Sequence, residues 1–405
     1  MINPPTDSAD NPLVRPRRIE RDEDWQDLAD LFPVRAGTTY LNHGSFGVTP
    51  QPVRNARLHW IRELDNQPMD FYVRQLEPAW SAAIGKVADF LGTRPENLVF
   101  VENATFGMNV VADSFPLADG EEVLSNNHEY GAVHRIWDRA CRRRGARHVV
   151  ARLPDHIESI EQVVDAVFEP ANARTRLLVV SHITSPTALI MPVAEICEEA
   201  RRRGIPVCID GPHAPAHLPI ELDSLGCAFY TASCHKWLAA PLGSGFLFVD
   251  PQFHDRIEPQ LKSWGRLLPA VPEQWFEEFV WSGTRDPSAY LAIPAAIELL
   301  QAVGLDLFRR RIRWMASETT RQLVELTGRS PLADHPDGWY GAMAHVPLPG
   351  GDWPDLQAWL WEAHGIEVPV VEFESQWFIR VSHHLYNNRN QVERLLGALE
   401  TRFSG

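Results

Sequence analysis

The sequence has no uninterrupted apolar run of about 18 residues, so no segment is expected to cross a bilayer as a helix. Its opening, MINPPTDSADNPLVRPRRIERDEDW, lacks the apolar stretch of a secretory signal. It reads as a polar, proline-rich arm, loosely held until about Trp25. Positive charge is in deficit: 38 lysines and arginines against 53 acids leave a net charge of −15. Nucleic acids and anionic membranes call for a basic face, so neither is expected as a partner. The densest basic runs, RRRG at 142–145 and at 201–204, stand where helices should end, and cations there complement the helix dipole. Cysteine is sparse: Cys141, Cys197, Cys208, Cys227 and Cys234, an odd number with no CxxC pair. Neither a zinc site nor a disulfide framework is indicated, no metal is expected, and a reducing cytoplasm fits best. Internal repeats and low-complexity tracts are missing as well.

What is present is an ordinary globular composition, 44% hydrophobic and 22% charged, over 405 residues, enough for a large core and more than one domain. From about residue 97, short apolar runs alternate with helical periodicity. NLVFVEN, EEVLSNN, RTRLLVVSHI (174–183), IPVCID (205–210), FYTAS and GFLFVD read as strands; TFGMNVVADSF, AVHRIWDRACRRRG and PVAEICEEARRRG read as helices between them. Such units imply an α/β fold with a mostly parallel sheet, whose carboxyl edge is where ligands bind. After GTRDPSAY (283–290) the texture changes to long helices, then short strands (AMAHVPL, FIRVS), then the helix NRNQVERLLGALETRF, a pattern of a smaller α+β unit.

The stretch YTASCHKWLAAPLGSGFLFV (230–249) poses the chemical question, because it sets Lys236 between a polar run and a glycine-rich return into an apolar strand. Lysine in such company is either a snorkelling surface residue or an amine used as a reagent. The other strand ends carry further polar residues. ENAT (102–105) opens a helix, with Asn103 and Thr105 as simple caps or, with the exposed N–H groups, as a phosphate site. HEYGA places Tyr130 at a strand-to-helix turn, and SHITSPTA places Ser185 after another strand. DGPHAPAH closes a strand with Asp210, either a cap or a functional carboxylate, followed by His213 and His217, and TASCHK adds Ser233 and His235 beside Lys236. An amine, a carboxylate, phosphate donors and an aromatic lid at one sheet edge answer the needs of pyridoxal phosphate: an aldehyde to bind, a pyridine nitrogen to keep protonated, and a phosphate to hold.

The spacing of DGPHAPAH and TASCHKW, 236 − 210 = 26 residues from carboxylate to lysine, resembles the class V aminotransferase family of pyridoxal-phosphate enzymes, and within it the isopenicillin N epimerase-like branch. The similarity runs from YLNHGSFGVTP (40–50) and QPMDFYVRQL (67–76) through NHEYGA, SHITSPTALIMPV, SCHKWLAAPLGSGFL, KSWG and WSGTRDPSAY to RVSHHLYN. It implies an aspartate-aminotransferase-like large α/β domain (36–287), a smaller C-terminal α+β domain (288–405), and an N-terminal arm (1–35) packing with the small domain. It further implies that Lys236 forms the Schiff base and later moves the α-proton, that Asp210 pairs with the pyridine nitrogen, and that His213 bonds the ring's 3-hydroxyl. Ala104, Thr105, Ser233 and His235 would hold the phosphate, Tyr130 would stack on the ring, and Thr284 would reach the partner's phosphate across a homodimer interface. Arg380 would bind the substrate α-carboxylate by a bidentate fork, although an arginine in a strand can also be a surface ion-pair residue. Asn42, His43 and Ser185 would line the substrate side. His128 and His217 read as supporting residues, either His383 or His384 as lining the cleft entrance, and Trp264 as bordering the site.

The reaction is an expectation of the same kind. Cysteine desulfurases of this family use a C-terminal cysteine, and this chain has none after Cys234. Amino-acid epimerisation needs proton exchange on both faces, with Lys236 on one and Tyr130 or His43 on the other. A C–S lyase acting on a sulfur-containing amino acid or its sulfoxide needs only Lys236, with Tyr130 assisting the leaving group. The epimerase reading comes first, the lyase second and an aminotransferase or decarboxylating deaminase third. A silent scaffold that binds a metabolite is the alternative of another class.

Overall fold

The structure is a computed structural model that describes residues 13–265, 271–334 and 336–404. Most of the arm expected to hang loose precedes residue 13 and lies outside the described residues. From Arg17 the chain is held: its guanidinium meets Asp27 at 2.7 Å, and the Trp25 indole donates to the Arg18 carbonyl at 2.9 Å. The buried Arg17 guanidinium anchors this segment before Trp25, which corrects the expectation that it hangs loose up to that residue.

In chain order the strands are β1 (Thr39–Tyr40), β2 (Leu98–Val101), β3 (Glu122–Asn126), β4 (Arg147–Ala151), β5 (Thr175–Ser181), β6 (Val207–Asp210), β7 (Phe229–Ser233), β8 (Gly245–Val249), β9 (Met343–Pro347), β10 (Ile366–Glu367), β11 (Val370–Phe373) and β12 (Gln376–Ser382). Seven form one sheet in the order β2-β8-β7-β6-β5-β3-β4. β8 runs antiparallel to both of its neighbours, and the other pairings are parallel. This is an α/β fold, as the alternating pattern predicts. The central strands are buried on both faces and therefore read as continuous apolar runs: LLVV in β5 and FLFV in β8 are wholly buried. The sequence reading omitted β4, an edge strand whose RHVVA is partly exposed and lacks such a run.

Helices cover both faces. Ala104–Ser114, Gly131–Arg143, Ile160–Phe168 and Val193–Arg203 return the chain between parallel strands. The arginines at 142–143 and 201–203 do fall in the last turns of their helices. Two longer helices, Gln51–Asn66 and Leu76–Leu91, precede β2 and pack against Ser288–Leu291 and Ile293–Val303. The 23-residue helix Leu305–Thr327 then leads to a three-stranded antiparallel sheet, β11-β12-β9, and to the closing helix Arg389–Ser404.

Residues 39–42, assigned from sequence to the large unit, pair elsewhere. β1 runs parallel to β10, and Asn42 bridges Ser382. The loop after β1 is thereby tied to the end of β12, which carries Arg380. Asp22 draws the N-terminal segment to the same region, with Arg311 at 2.6 Å and the Arg389 N–H at 2.9 Å.

Candidate active site

The carboxyl ends of β2, β3, β5, β6 and β7 open onto a cleft of about 490 Å³, closed from the other side by residues 44–46 and Arg380. Ten side chains singled out from sequence line it: Ala104, Thr105, Tyr130, Ser185, Asp210, His213, Ser233, His235, Lys236 and Arg380. They come together because parallel strands end at one edge, so residues far apart in sequence share a rim.

Lys236 is half-buried, with Nζ 2.9 Å from His213 Nε2. The Trp237 indole N–H donates to His213 Nδ1 at 3.3 Å. An indole can only donate, so Nδ1 is the acceptor nitrogen and the neutral ring carries its proton on Nε2. Lys236 must then accept, which requires a free amine lone pair. Electrostatics agree: burial, and then Arg380, hold the Lys236 amine below the usual lysine range against the pull of Asp210. Burial also drives His213 well below the ordinary histidine value, with Lys236 and Arg380 adding to it. The geometry and the burial both favour the neutral amine, and the side chain faces the cleft rather than open solvent.

Asp210 lies on the cleft floor, and its carboxyl is pushed up by burial and drawn down by Lys236. Among the described residues its carboxylate has no hydrogen-bond partner, so it is aimed at whatever the cleft holds. At the opposite end, the helix Ala104–Ser114 begins under an Asn103 cap that accepts the Phe106 N–H at 3.0 Å. The Ala104 N–H is spent on Ser233 Oγ at 3.0 Å, which leaves the Ser233 hydroxyl proton and the Thr105 hydroxyl as donors. His235 contributes a buried Nδ1 with no partner, and burial followed by Lys236 takes its pKa down to about 4.

Arg380 enters from β12. It is 5% exposed, and burial brings its guanidinium down to about 10. Nη1 donates to the Ser185 carbonyl, Nη2 to Ser45 Oγ at 3.0 Å, and Nε is buried without a partner. No carboxylate pairs with it among the described residues. A buried cation without a counter-ion is costly, so this site is built for an anionic ligand. Arg380 is therefore not a surface ion-pair residue.

Other residues singled out from sequence fall outside the cleft. His43 is wholly buried: its ring nitrogens meet Tyr386 Oη at 2.9 Å and the Lys236 carbonyl at 2.9 Å, and it stacks on His384 at 4.0 Å. It buttresses the lysine loop from behind and does not line the substrate side. Asn42 is buried and bonded to Glu367 at 3.3 Å, at the pairing of β1 with β10. Thr284 is exposed and does not line this chain's cleft. Neither His383 nor His384 lines the entrance. Both are buried, their Nε2 atoms on Thr319 and on the Trp237 carbonyl. Trp264 is exposed and away from the cleft. His128, bonded to Thr187 at 2.8 Å, and His217, which accepts the Ala342 N–H at 2.6 Å, are buried supports.

Sequence reading missed two features. Ser45 and Phe46 line the cleft, where Asn42 and His43 had been expected. The signal was the pair of glycines around them: a Cβ on Gly47 would collide with the His235 carbonyl and stand 2.7 Å from that of Lys236, so this loop lies directly against the lysine turn. Glu129 is the other. It is fully buried beside Tyr130, accepts the Ser181 N–H at 2.8 Å and the Asn126 side chain at 2.6 Å, and lies 2.6 Å from Ser181 Oγ. Burial, opposed by the Ser181 bonds and reinforced by Asp210, raises it to about 8. The tip of the β11–β12 hairpin adds a second tie to this turn: Glu374 accepts from Asn127 at 2.6 Å and Arg152 at 2.8 Å, and Phe373 meets His128 edge-on at 4.6 Å.

Three comparisons bear on this geometry. The sequence pattern of the family described as Aminotransferase class-V matches residues 50–395. The chain is 36% identical over 390 residues to isopenicillin N epimerase of Amycolatopsis lactamdurans, covering 93% of this chain and 98% of that one. It is 29% identical over 417 residues to a putative L-cysteine desulfhydrase 1 of Oryza sativa subsp. japonica, with 92% and 84% covered. Among solved structures, a C-DES mutant with glycine covalently linked to its PLP cofactor superposes with a TM-score of 0.82 at 20% identity, over 92% of this chain and 98% of the other.

Proposed function

The chain belongs to the class-V aminotransferase family, and from that premise we propose that it is a pyridoxal-phosphate-dependent amino-acid epimerase. The residues present fit the cofactor. An unpartnered carboxylate (Asp210), a half-buried amine (Lys236), the Nε2–H of His213 and a set of hydrogen-bonding groups suited to a phosphate (Thr105, Ser233, His235) face one cleft. Bound there, pyridoxal phosphate supplies an aldehyde for the lysine and an electron-withdrawing ring that stabilises negative charge at the α-carbon of an attached amino acid.

The chain's own groups divide the remaining work. With the cofactor bound, Asp210 would keep the pyridine nitrogen protonated, and the Nε2–H of His213 would serve the ring's 3-hydroxyl. Thr105, Ser233 and His235 hold the phosphate, and Arg380 orients the substrate by its α-carboxylate. Lys236 removes the α-proton on its own face. Epimerisation requires a second group on the other face. With His43 sealed behind the lysine turn, Tyr130 is the residue left for it: it lines the cleft, is 48% exposed, and follows the anchored Glu129 in the chain. The observation that carries the amino-acid reading is Arg380, a buried guanidinium without a carboxylate, set across the same cleft from a neutral lysine.

A C–S lyase is the second reading, favoured by the likeness to a desulfhydrase and by the sufficiency of Lys236 and Tyr130 for β-elimination. The persulfide route of a desulfurase is disfavoured, because all five cysteines are buried and none follows Cys234. An aminotransferase comes third. We also propose a homodimer: among the described residues no lysine or arginine lines the cleft beside Thr105 and Ser233 except Lys236 and Arg380, and the exposed Thr284 is placed to complete the partner's site. Buried free thiols fit a cytoplasmic setting.

The test is incubation of the holoenzyme with L-amino acids in deuterated water. Deuterium at the α-carbon together with loss of optical activity is the expected result. Pyruvate with a released sulfur species would transfer the assignment to the lyase, and turnover only after adding a keto acid would transfer it to the aminotransferase.

A further inference from the structure

Arg380 shares its guanidinium with a residue whose chemistry is incomplete. Nη2 donates to Ser45 Oγ at 3.0 Å, so the serine oxygen acts as acceptor and its own proton remains available. Ser45 lines the cleft. Its backbone is fixed: the Ser45 N–H donates to the Asn42 carbonyl at 3.1 Å, the Tyr40 hydroxyl donates to the Phe46 carbonyl at 2.7 Å, and the Gly47 N–H donates to the His235 carbonyl at 3.1 Å. The loop therefore cannot carry the hydroxyl away from the arginine without breaking its bond to the lysine turn.

A carboxylate that docks on Arg380 has two oxygens to satisfy. The other immediate partner of the guanidinium is the Ser185 carbonyl, an acceptor that a carboxylate would repel. Ser45 is the neutral donor beside the cation, already oriented by it. We propose that Ser45 is a direct ligand of the substrate α-carboxylate, donating its hydroxyl proton to one carboxylate oxygen while Arg380 engages the other. The inference rests on the amino-acid reading of the site and adds the residue that makes carboxylate recognition two-sided. It also accounts for the placement of 44–46 over the cleft in a loop whose neighbours, Asn42 and His43, are buried behind it.

The experiment titrates holoenzyme with L-alanine, and with ethylamine as the carboxylate-free control, following the cofactor's visible absorbance. The proteins are wild type, Ser45→Ala, Ser45→Thr, Arg380→Ala and the double variant. A hydrogen bond to a charged partner predicts that Ser45→Ala weakens L-alanine about tenfold, while Ser45→Thr keeps affinity near wild type and ethylamine is unaffected. Because the contact is direct, Ser45→Ala also weakens L-alanine in the Arg380→Ala background, and a crystal of the wild type with L-alanine shows Ser45 Oγ within hydrogen-bond distance of the carboxylate. An unchanged L-alanine affinity in Ser45→Ala, or an effect that vanishes once Arg380 is gone, overturns the proposal. Failure of the broader reading is a different result: Arg380→Ala would then bind L-alanine as the wild type does.

Discussion

Lys236 Nζ and His213 Nε2 meet at 2.9 Å with the proton on the histidine, an arrangement dictated by the Trp237 indole behind the ring. The amine is thus kept as a nucleophile by a hydrogen bond it accepts. Substituting Trp237→Phe releases His213 Nδ1 to carry the proton, turning Nε2 into an acceptor that favours the ammonium. The pH at which the apoenzyme's lysine reacts with an added aldehyde should move upward in this variant. An unchanged or lower midpoint would mean that the indole does not set the tautomer.

Glu129 makes stability depend on pH. Its ordinary value is 4.5 and burial raises it to about 8 in the native chain. Between these values the unfolded chain has released the proton and the native chain keeps it, so stability is highest at the acid end and falls as pH rises through the window. Glu129→Gln removes that slope. Urea unfolding at about pH 5 and about pH 8 should show a smaller loss for the variant than for the wild type. Equal losses would place the buried proton elsewhere.

Arg380 illustrates function held against stability. Its charge is buried with no counter-ion among the described residues. An apolar replacement of similar length, Arg380→Met, should leave ligand-free holoenzyme as stable as the wild type or more so, by about 1 kcal/mol. Amino-acid affinity should collapse at the same time. Thermal unfolding paired with a substrate titration separates the two effects, and a variant that lost stability instead would assign the arginine a structural role.

Gly47 is where the 42–48 loop touches the lysine turn. A methyl group there meets two carbonyl oxygens, those of His235 and Lys236, and backbone cannot step aside as a flexible side chain does. Gly47→Ala should cost about 1–3 kcal/mol of stability and displace Lys236, so that cofactor binds more weakly. Gly85→Ala, at a helical glycine where nothing lies within 4 Å, is the control and should be neutral or slightly stabilising. Similar behaviour of the two variants would remove the argument for close approach.

Much of this was legible in the chain. Apolar runs such as LLVV and FLFV announced central strands, because burial on both faces leaves no polar alternation to confuse them. The ends of those strands announced the site, since a parallel sheet delivers every carboxyl end to one rim. Lys236, Asp210 and Tyr130 could therefore be singled out at strand ends, whereas Arg380, on an antiparallel strand of the other sheet, was named only through the family resemblance. Tertiary structure decided what pairwise contact decides. It buried His43 and exposed Thr284, put Ser45 rather than Asn42 beside the arginine, paired residues 39–42 with the C-terminal strands, and brought Glu129 against Ser181. Sequence specifies which groups a strand end carries, but their protonation and direction depend on neighbours from other segments, such as the indole that fixes a tautomer or the carbonyl that occupies one edge of a guanidinium.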